Sequence, residues 1–512
     1  MIRLILRRDR ALLPLWILFP AVVPVAFVAA FTKGFPTQAL LDEYAQTSVH
    51  NTAFTVTYGA LNGSSLGELV TWRAGFLPVM VGLITLLTVI RHTRTEEEAG
   101  RSELVGATPV SRHAELTAAL VVTCTASLVL GALSALFLIG QGLGATGSFA
   151  YGAGVTAAGC VFAGVGAVVA QLTSGAGGAR GVGIVVLGVA FLLRGMGDVA
   201  APAVAWFSPF GWSSALRPFS GERWWVLLLP AAAVAALVWL AVALSERRDL
   251  GDGLFHERPG PATAAPGLRS PLALAWRLHR GALASRAAGF AVVGFGLGAI
   301  ADSIGDLMNH STPAARAALA RIGGPGTVVD QYFVGMMTMF GVTAAGLAIH
   351  SALRLRAEEN DGRAEPVLAT PTDRATWAWS HLLFALLGPV VWLALFGAAA
   401  GFAHGQTLRV LGAALVQVPA AWLFVGLAFA LFGLLPRLAA WSFAALFVSL
   451  FFGWIAGELQ LSQWVLGLSA FSHVPQLPGG PMSATPLVVL TALAALLVAA
   501  GLYGLRRRDL PA

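Results

Sequence analysis

The sequence predicts an all-α membrane protein of 12 transmembrane helices, arranged as two tandem halves of six helices each. Three observations support this fold class. Of the 512 residues, 57% are hydrophobic and only 11% are charged, whereas about a quarter of the residues in a soluble protein are charged. Long apolar runs recur along the chain, and one charged segment occurs twice. The charges are too few to cover a soluble surface, so the composition excludes a soluble enzyme.

Twelve apolar runs are long enough, or nearly long enough, to cross about 30 Å of hydrocarbon. The first six are residues 11–31, 74–90, 114–139, 149–172, 181–201 and 224–244. The other six are residues 287–301, 332–349, 376–402, 408–435, 438–455 and 486–505, of which the seventh run is the shortest. The first run is too long for the hydrophobic region of a secretory signal, so we interpret it as an uncleaved span.

The distribution of basic residues predicts the orientation of the chain. Most of the 32 basic residues lie in alternate segments between the runs, and these segments share one side of the membrane. The positive-inside rule then predicts a protein of the inner (plasma) membrane with both termini in the cytoplasm. The net charge of +7 reports this topology and implies no nucleic-acid partner. Cys124 and Cys160 lie inside apolar runs, so neither a disulfide nor a metal site is predicted.

An internal repeat divides the chain. Residues 94–112 align without a gap on residues 356–374, with identity at 11 of 19 positions, and Arg-Arg-Asp-Leu occurs at both 247–250 and 507–510. Because six spans separate the copies, the halves have parallel orientation. We predict a first transmembrane domain over residues 1–250, a proline-rich cytoplasmic linker over 251–275 and a second transmembrane domain over 276–512.

The repeated segments carry the sequence signals of a short helix. In the first copy, Thr95 and Glu98 are spaced as a capping box. A glutamate and an arginine at i, i+4 spacing support each helix and a proline ends it: Glu97, Arg101 and Pro109 in one copy, and Glu359, Arg363 and Pro371 in the other.

These segments have two possible interpretations, a solvated surface helix and a surface that docks a partner. A solvated surface helix has no reason to keep its residue types after duplication, whereas a surface that docks a partner does. The charge is mixed, which suits a protein groove better than anionic lipid. The predicted docking residues are Glu96, Glu97, Glu98, Gly100, Arg101 and Glu103 in the first copy, and Glu358, Glu359, Gly362, Arg363 and Glu365 in the second.

The lysine content bears on ATP hydrolysis. The phosphate loop of an NTPase needs a lysine to reach the phosphates, and this chain contains a single lysine, Lys33, in no such motif. We therefore predict that this chain hydrolyses no ATP and is not an enzyme. No cofactor is predicted to bind to it.

Two further sets of residues in the membrane region are candidates for a functional role. Arg194 and Asp198 are i, i+4 within the fifth run, so we predict either a paired charge at membrane depth or an outer end that meets water. Proline, glycine and aromatic residues gather before the last run of each half, where they predict interfacial turns at the outer mouth of a pathway or an ordinary aromatic belt. The residues chosen there are Ser208, Phe210, Trp212 and Phe471.

The arrangement resembles the permease of bacterial type-2 ABC exporters, in particular the polyketide-antibiotic exporters of the tetronasin-resistance type. The residues that carry the resemblance are the two copies of the repeat and the run from Ser208 to Trp212. The resemblance implies that a cytoplasmic helix in each half couples to a separate ATPase subunit, which would bind ATP and Mg²⁺. It also implies amphipathic connecting helices at residues 3–10 and 276–286. The second copy departs at Asn360 and Asp361, so the two halves need not couple equally.

We predict a two-domain permease that exports hydrophobic compounds, such as polyketide antibiotics or drugs, with two copies of a separate ATPase. A secondary transporter of the major-facilitator type, also with 12 spans in two halves, is the main alternative. Its corresponding loop is basic, whereas this one is acid-rich. A membrane scaffold without transport activity is the third possibility.

Overall fold

The computed structural model describes residues 1–49, 52–106, 111–248, 251–254, 263, 265, 267–302, 305, 324–458, 467 and 469–508. Over these residues the regular structure is helical, without a strand. The chain divides into two compact units, Met1–Gly260 and Pro261–Ala512. The predicted helix stop at Pro109 and most of the prolines of the predicted linker lie outside the described residues.

The first unit consists of long apolar helices joined by short ones. In chain order its helices are α1 (Ile2–Arg8), α2 (Leu12–Gly34), α3 (Gln38–Val49), α4 (Thr52–Tyr58), α5 (Leu66–Arg73), α6 (Leu77–His92), α7 (Arg94–Glu98), α8 (Arg101–Gly106), α9 (Ala114–Gly140), α10 (Ala145–Leu172), α11 (Ala176–Val199), α12 (Pro202–Ala205), α13 (Pro209–Ala215) and α14 (Leu228–Glu246). A 3₁₀ turn, Trp224–Leu227, leads directly into α14.

The second unit has the same alternation. Its helices are α15 (Pro271–Ala299), α16 (Val328–Ala352), α17 (Arg354–Asn360), α18 (Ala364–Leu368), α19 (Arg374–His404), α20 (Thr407–Leu415), α21 (Val418–Leu434), α22 (Trp441–Glu458) and α23 (Ala484–Arg507). Two 3₁₀ turns, Pro436–Leu438 and Ala470–His473, lie on either side of α22.

Within the described residues, 11 helical segments are long and apolar enough to cross a membrane. The predicted all-α membrane fold is therefore confirmed, and the predicted number of 12 spans is approximate. The eleventh predicted run lies in α22, whose apolar stretch within the part of the chain that the structure describes is Trp441–Leu450. The seventh span, α15, is longer than predicted because the basic segment before the apolar run continues into it as one helix. This helix begins at Pro271, inside the predicted linker, and Ser270 caps it.

Helix α10 lies at the centre of the first unit, where it packs against α6, α9, α11 and α14. The backbones of α9 and α10 meet at Gly131 and Gly152, and a Cβ on either glycine would come within 2.3 Å of the other's carbonyl oxygen. In lipid there is no hydrophobic driving force between helices. Small residues at such crossings instead let the two backbones approach closely and gain dispersion contacts.

The second unit repeats this packing. Helix α21 packs on α16 and α23 as α10 packs on α6 and α14, and α19 packs on α15 as α9 packs on α2. Single contacts recur as well: Gly164 of α10 faces Leu237 of α14, and Gly426 of α21 faces Leu497 of α23. The internal repeat therefore extends from the charged segments into the packing of the spans.

Candidate functional site

The two charged segments, residues 94–112 and 356–374, are called the repeat loops from here on. Each repeat loop forms two short helices separated by a glycine: α7 and α8 around Gly100, and α17 and α18 around Gly362. The two glycines have φ angles of +69° and +68°. This left-handed conformation carries a steric penalty for any residue with a Cβ, which explains a glycine in both copies.

The predicted capping box is wrong. Helix α7 begins earlier than expected, at Arg94, and its N-cap residue Thr93 makes no side-chain cap hydrogen bond. Thr95 therefore lies inside the helix, where its hydroxyl accepts a hydrogen bond from Arg180 at 3.0 Å. The Glu98 carboxylate instead accepts from the backbone N–H of Ala176, at 3.1 Å, and so caps the start of α11.

The predicted i, i+4 ion pairs are also replaced by others. Arg101 Nε donates to Glu96 Oε2 at 2.7 Å, and Arg363 Nε donates to Glu358 Oε2 at 2.9 Å. The glycine between the two helices breaks the helical spacing and turns each arginine back to the glutamate five positions earlier. These hydrogen bonds raise the pKa of both arginines.

The glutamates predicted to pair with those arginines face inward. Glu97 accepts two hydrogen bonds from Arg248, one of them from Nη2 to Oε2 at 2.9 Å. Glu359 accepts one hydrogen bond from Arg508, from Nη2 to Oε2. Arg248 follows α14 and Arg508 follows α23, so each pair joins a repeat loop to the end of the last span of its unit. We call these two ion pairs the loop–span clamps.

A second contact accompanies each clamp. Arg112 Nη2 donates to the carbonyl oxygen of Arg248 at 2.6 Å, and Arg374 Nη1 donates to the carbonyl oxygen of Arg508 at 2.6 Å. Arg112 and Arg374 are equivalent positions of the repeat. Several of the residues that the duplication preserved therefore fasten the loop inside its own unit, an explanation that neither of the two sequence interpretations included.

The predicted docking residues fall into two groups, one on the buried face and one on the exposed face of the repeat loops. The Glu97 and Glu359 side chains are only 7% and 4% exposed, and Glu96 and Glu358 are also buried. The Arg101 and Arg363 side chains are 50% and 55% exposed. The predicted docking residues on the exposed face are Glu98, Gly100, Arg101, Glu103, Gly362, Arg363 and Glu365.

The first repeat loop is also tied to the N-terminal helix α1. Arg8, at the end of α1, forms an ion pair with Glu96. Asp9, the next residue, is buried between Arg91 and His92, and His92 Nε2 lies 2.6 Å from Asp9 Oδ2. Sequence reasoning missed Asp9, and it noted Arg248 and Arg508 only as part of a repeated motif. The repeated Arg-Arg-Asp-Leu motif was the sequence signal that could have identified Arg248 and Arg508 as partners of the repeat loops.

Arg194 and Asp198 are both buried in α11, with side-chain exposures of 1% and 9%. Their closest nitrogen and oxygen atoms are 3.9 Å apart. Arg194 also donates to the carbonyl oxygens of Val56 and Thr57, at the end of α4. The pair therefore holds the α4 segment against α11 and does not face open water.

The residues predicted at an outer mouth lie mostly inside the units. Phe210 stacks on Phe162 with ring centroids 4.9 Å apart, and Phe471 stacks on Phe424 at 6.0 Å. The two pairs occupy equivalent positions of the repeat. Ser208 is buried, caps α13 and donates to the carbonyl oxygen of Ala190 at 2.6 Å. Trp212 is partly exposed, and its indole N–H donates to the carbonyl oxygen of Trp206 at 2.6 Å.

Phe210 borders a half-open cavity of about 70 Å³ in the first unit, at the end of the spans opposite the repeat loop. Glu68, Tyr151 and Arg217 also line it. Burial raises the pKa of Glu68, although hydrogen bonds from the loop before α5 favour its charged form. The Tyr151 hydroxyl is buried without a hydrogen-bond partner among the described residues. These polar groups and the volume of the cavity suit a few ordered waters.

An apolar cavity of about 740 Å³ opens between α9, α10 and α14 of the first unit. Gly131 and Cys160 help to form it. The equivalent positions of the second unit carry Leu393 and Trp422, and the Trp422 indole N–H donates across to the carbonyl oxygen of Leu386 at 2.8 Å. The two units therefore differ in this region although their helices pack alike.

The described residues contain no group of three or more histidine, cysteine, aspartate or glutamate side chains that could hold a metal ion. Both cysteines are free thiols. The charged clusters of the first unit are built from ion pairs between arginine and acid, the typical composition of a structural network.

The fold defines a multi-pass helical membrane protein with internal duplication, because it has long apolar helices, two equivalent units and a fastened loop in each unit. Over 521 aligned residues the chain is 41% identical to the multidrug efflux system permease protein Rv1217c of Mycobacterium tuberculosis (strain ATCC 25618 / H37Rv), an alignment that covers 99% of this chain and 94% of the relative. Residues 268–506 match the family described as multidrug efflux system permease Rv1217c, C-terminal domain. The chain belongs to this family of multidrug efflux permeases.

Proposed function

We propose that the chain is the permease of an ATP-driven ABC exporter for hydrophobic compounds, with two copies of a separate ATPase docked on its two repeat loops. The observation that carries the proposal is the pair of equivalent loops, each fastened at its buried face and exposed to solvent at its tip. One partner surface can bind both tips, because the two loops share their glycine break and their exposed arginine. ATP and Mg²⁺ would bind to the partner.

The membership of the efflux family supports the exporter assignment, since the relative is named as part of a multidrug efflux system. The predicted polyketide-antibiotic cargo comes from the resemblance to the tetronasin-resistance type and belongs to the proposal. So does the location in the inner membrane with both termini in the cytoplasm, which the distribution of arginines supports.

The docking role falls on the exposed tips. Glu97 and Glu359 hold the loops in place in this proposal, whereas Arg101 and Arg363 contact the ATPase. Loss of a charged contact across an interface commonly costs about 2 to 5 kcal/mol when the partner charge stays buried, and less at a solvated rim. Each tip contributes separately, so the double variant should lose more binding than either single variant.

The experiment compares Arg101→Ala, Arg363→Ala and the double variant, each co-expressed with the proposed ATPase partner. Co-purification of the ATPase should fall in each single variant and most in the double variant, while the amount of folded permease stays constant. Arg437→Ala is the matched control, because Arg437 is also exposed, lies on the same predicted side of the membrane and is outside the repeat loops.

Undiminished ATPase binding and export in the double variant would contradict docking through the tips. Export that persists without any ATPase, driven by an ion gradient, would favour a secondary transporter. No export of any compound by the unaltered protein with its ATPase would favour a scaffold.

A further inference from the structure

The loop–span clamps connect parts of the chain that are far apart in sequence. Glu97 and Arg248 are separated by 151 positions, and Glu359 and Arg508 by 149. Between the two members of each pair lie four spans of the same unit. The clamp therefore joins the segment after the second span of a unit to the segment after its last span.

The clamps are maintained by several groups. In the first unit the Glu97 carboxylate also accepts from the backbone N–H of Gly251 at 2.8 Å and from Arg94 at 2.9 Å. Arg248 in turn donates from Nε to Gln171 Oε1, on α10, at 2.7 Å. Since these groups lie at the ends of α10 and α14, the loop is fastened to two spans at once.

Conservation of the clamp within the chain argues for a role beyond local folding. The ion pair and the arginine-to-carbonyl contact both recur at equivalent positions of the two units. The surrounding side chains diverged, as the replacement of Cys160 by Trp422 shows. Two units that need only to fold can fasten a surface loop in different ways, whereas two units that respond to the same partner need the same linkage.

Each repeat loop also has two faces, an exposed one and a buried one, with different contacts. Its exposed tip is available to a partner, and its buried acid holds the end of the last span. A partner that displaces the tip therefore pulls on that span through one short ion pair.

We propose that Arg248 and Arg508 are positioning residues that transmit movement of the docked repeat loop to the last span of each unit. This inference rests on the proposed docking of an ATPase. Neither arginine contacts the ATPase or the cargo. Their loss should separate two properties that docking alone would change together: the ATPase still binds, but its hydrolysis no longer drives export.

The experiment uses the full permease–ATPase complex in lipid vesicles and follows export of a fluorescent lipophilic dye that the unaltered complex exports. Three quantities are measured for each variant: folded permease, bound ATPase, and dye exported per ATP hydrolysed. The variants are Arg248→Ala, Arg508→Ala and Arg508→Glu. Arg247→Ala and Arg507→Ala are matched controls, because each is the exposed arginine directly before a clamp arginine.

In Arg508→Glu, bound ATPase should stay within the range of the controls while dye exported per ATP falls about five-fold or more, the lower end of typical coupling between sites. The exchange Glu359→Arg with Arg508→Glu restores the pair with reversed charge and should recover most of the loss. If Arg508→Glu does not fold, Arg248→Lys serves instead, because it keeps the charge but loses the second of the two hydrogen bonds to Glu97.

Three results would overturn the inference: unchanged export per ATP in the clamp variants, loss of bound ATPase in parallel with export, or a charge exchange that recovers nothing. Failure of the proposed function has a different signature. In that case the unaltered permease binds no ATPase at all, whereas the inference alone fails when binding is normal and the clamp variants behave like the controls.

Discussion

At the scale of single residues, the repeat loops depend on two glycines. Gly100 and Gly362 occupy the left-handed region, and no heavy atom lies within 4 Å of a Cβ built on either one. Their conservation between the copies therefore reflects backbone conformation alone. By ending the first short helix, each glycine directs the following arginine back to the buried acid and leaves the tip exposed.

Gly100→Ala and Gly362→Ala should each destabilise the local loop by about 1 to 2 kcal/mol, the cost of a left-handed conformation for a residue with a Cβ. The tip then opens more often, so trypsin should cleave the folded protein faster after the neighbouring Arg101 or Arg363. Gly→Asn at the same positions should have a smaller effect, because asparagine tolerates this conformation better.

Gly412→Ala is the control for these variants. Gly412 lies within α20, has no positive φ and also has open space at its Cβ, so alanine should be neutral or slightly stabilising there. Cleavage rates that do not distinguish the loop variants from this control would contradict the conformational explanation.

At the scale of the helices, α11 shows why a charge pair inside a predicted span can be structural. Arg194 and Asp198 lie one turn apart on the helix, as their spacing predicted. The tertiary fold adds the carbonyl oxygens of α4, which the sequence does not place near α11. The pair therefore links two elements in addition to stabilising one helix.

Removing one member of this pair should cost more than removing both. Arg194→Gln or Asp198→Asn leaves a lone buried charge, a change that typically destabilises by about 3 to 5 kcal/mol. The double variant leaves no buried charge, and its amide groups can still hydrogen-bond. Thermal unfolding of the purified protein in detergent would measure both effects.

Arg180→Gln is a suitable control on the same helix, because Arg180 is exposed and such changes usually stay within about 0.5 kcal/mol. A double variant as unstable as the worse single variant would show that hydrogen bonds to α4, and not charge balance, make the pair necessary.

At the scale of the whole molecule, the purified chain should hydrolyse no ATP by itself. Its single lysine, Lys33, lies at the end of α2 and belongs to no phosphate loop. Hydrolysis should appear only when the ATPase partner is added, and it should rise above that of the partner alone once the complex forms. A phosphate-release assay on the permease, the ATPase and the complex makes the comparison. Turnover by the isolated permease that is insensitive to further purification would contradict the prediction.

The sequence predicted the class of the molecule and its repeat well, because both depend on patterns along the chain. The spans follow from runs of apolar residues, which need only be long enough to cross hydrocarbon. The equivalence of the units follows from a charged segment that occurs twice. Helix ends were predicted less well: α7 begins at Arg94, so Thr95 could not be its cap.

The ion pairs of the repeat loops could not be predicted from patterns along the chain. Spacing rules assume a continuous helix, and the left-handed glycine in each loop ends it. Arg101 and Arg363 therefore pair with different acids from those predicted, and Glu97 and Glu359 turn inward. Their partners, Arg248 and Arg508, lie about 150 positions away, a separation at which local pattern carries no information about contact.

That this protein is a duplicated, all-α membrane protein follows from its amino-acid order alone, because hydrophobicity, charge distribution and self-similarity are properties of composition and order. The role of the duplicated charges depends on the tertiary structure. Whether an acid faces a partner or an arginine of its own chain depends on how the spans pack at glycines such as Gly131 and Gly152. That packing brings the ends of distant helices together, and burial then makes an ion pair the most stable arrangement for the charges found there.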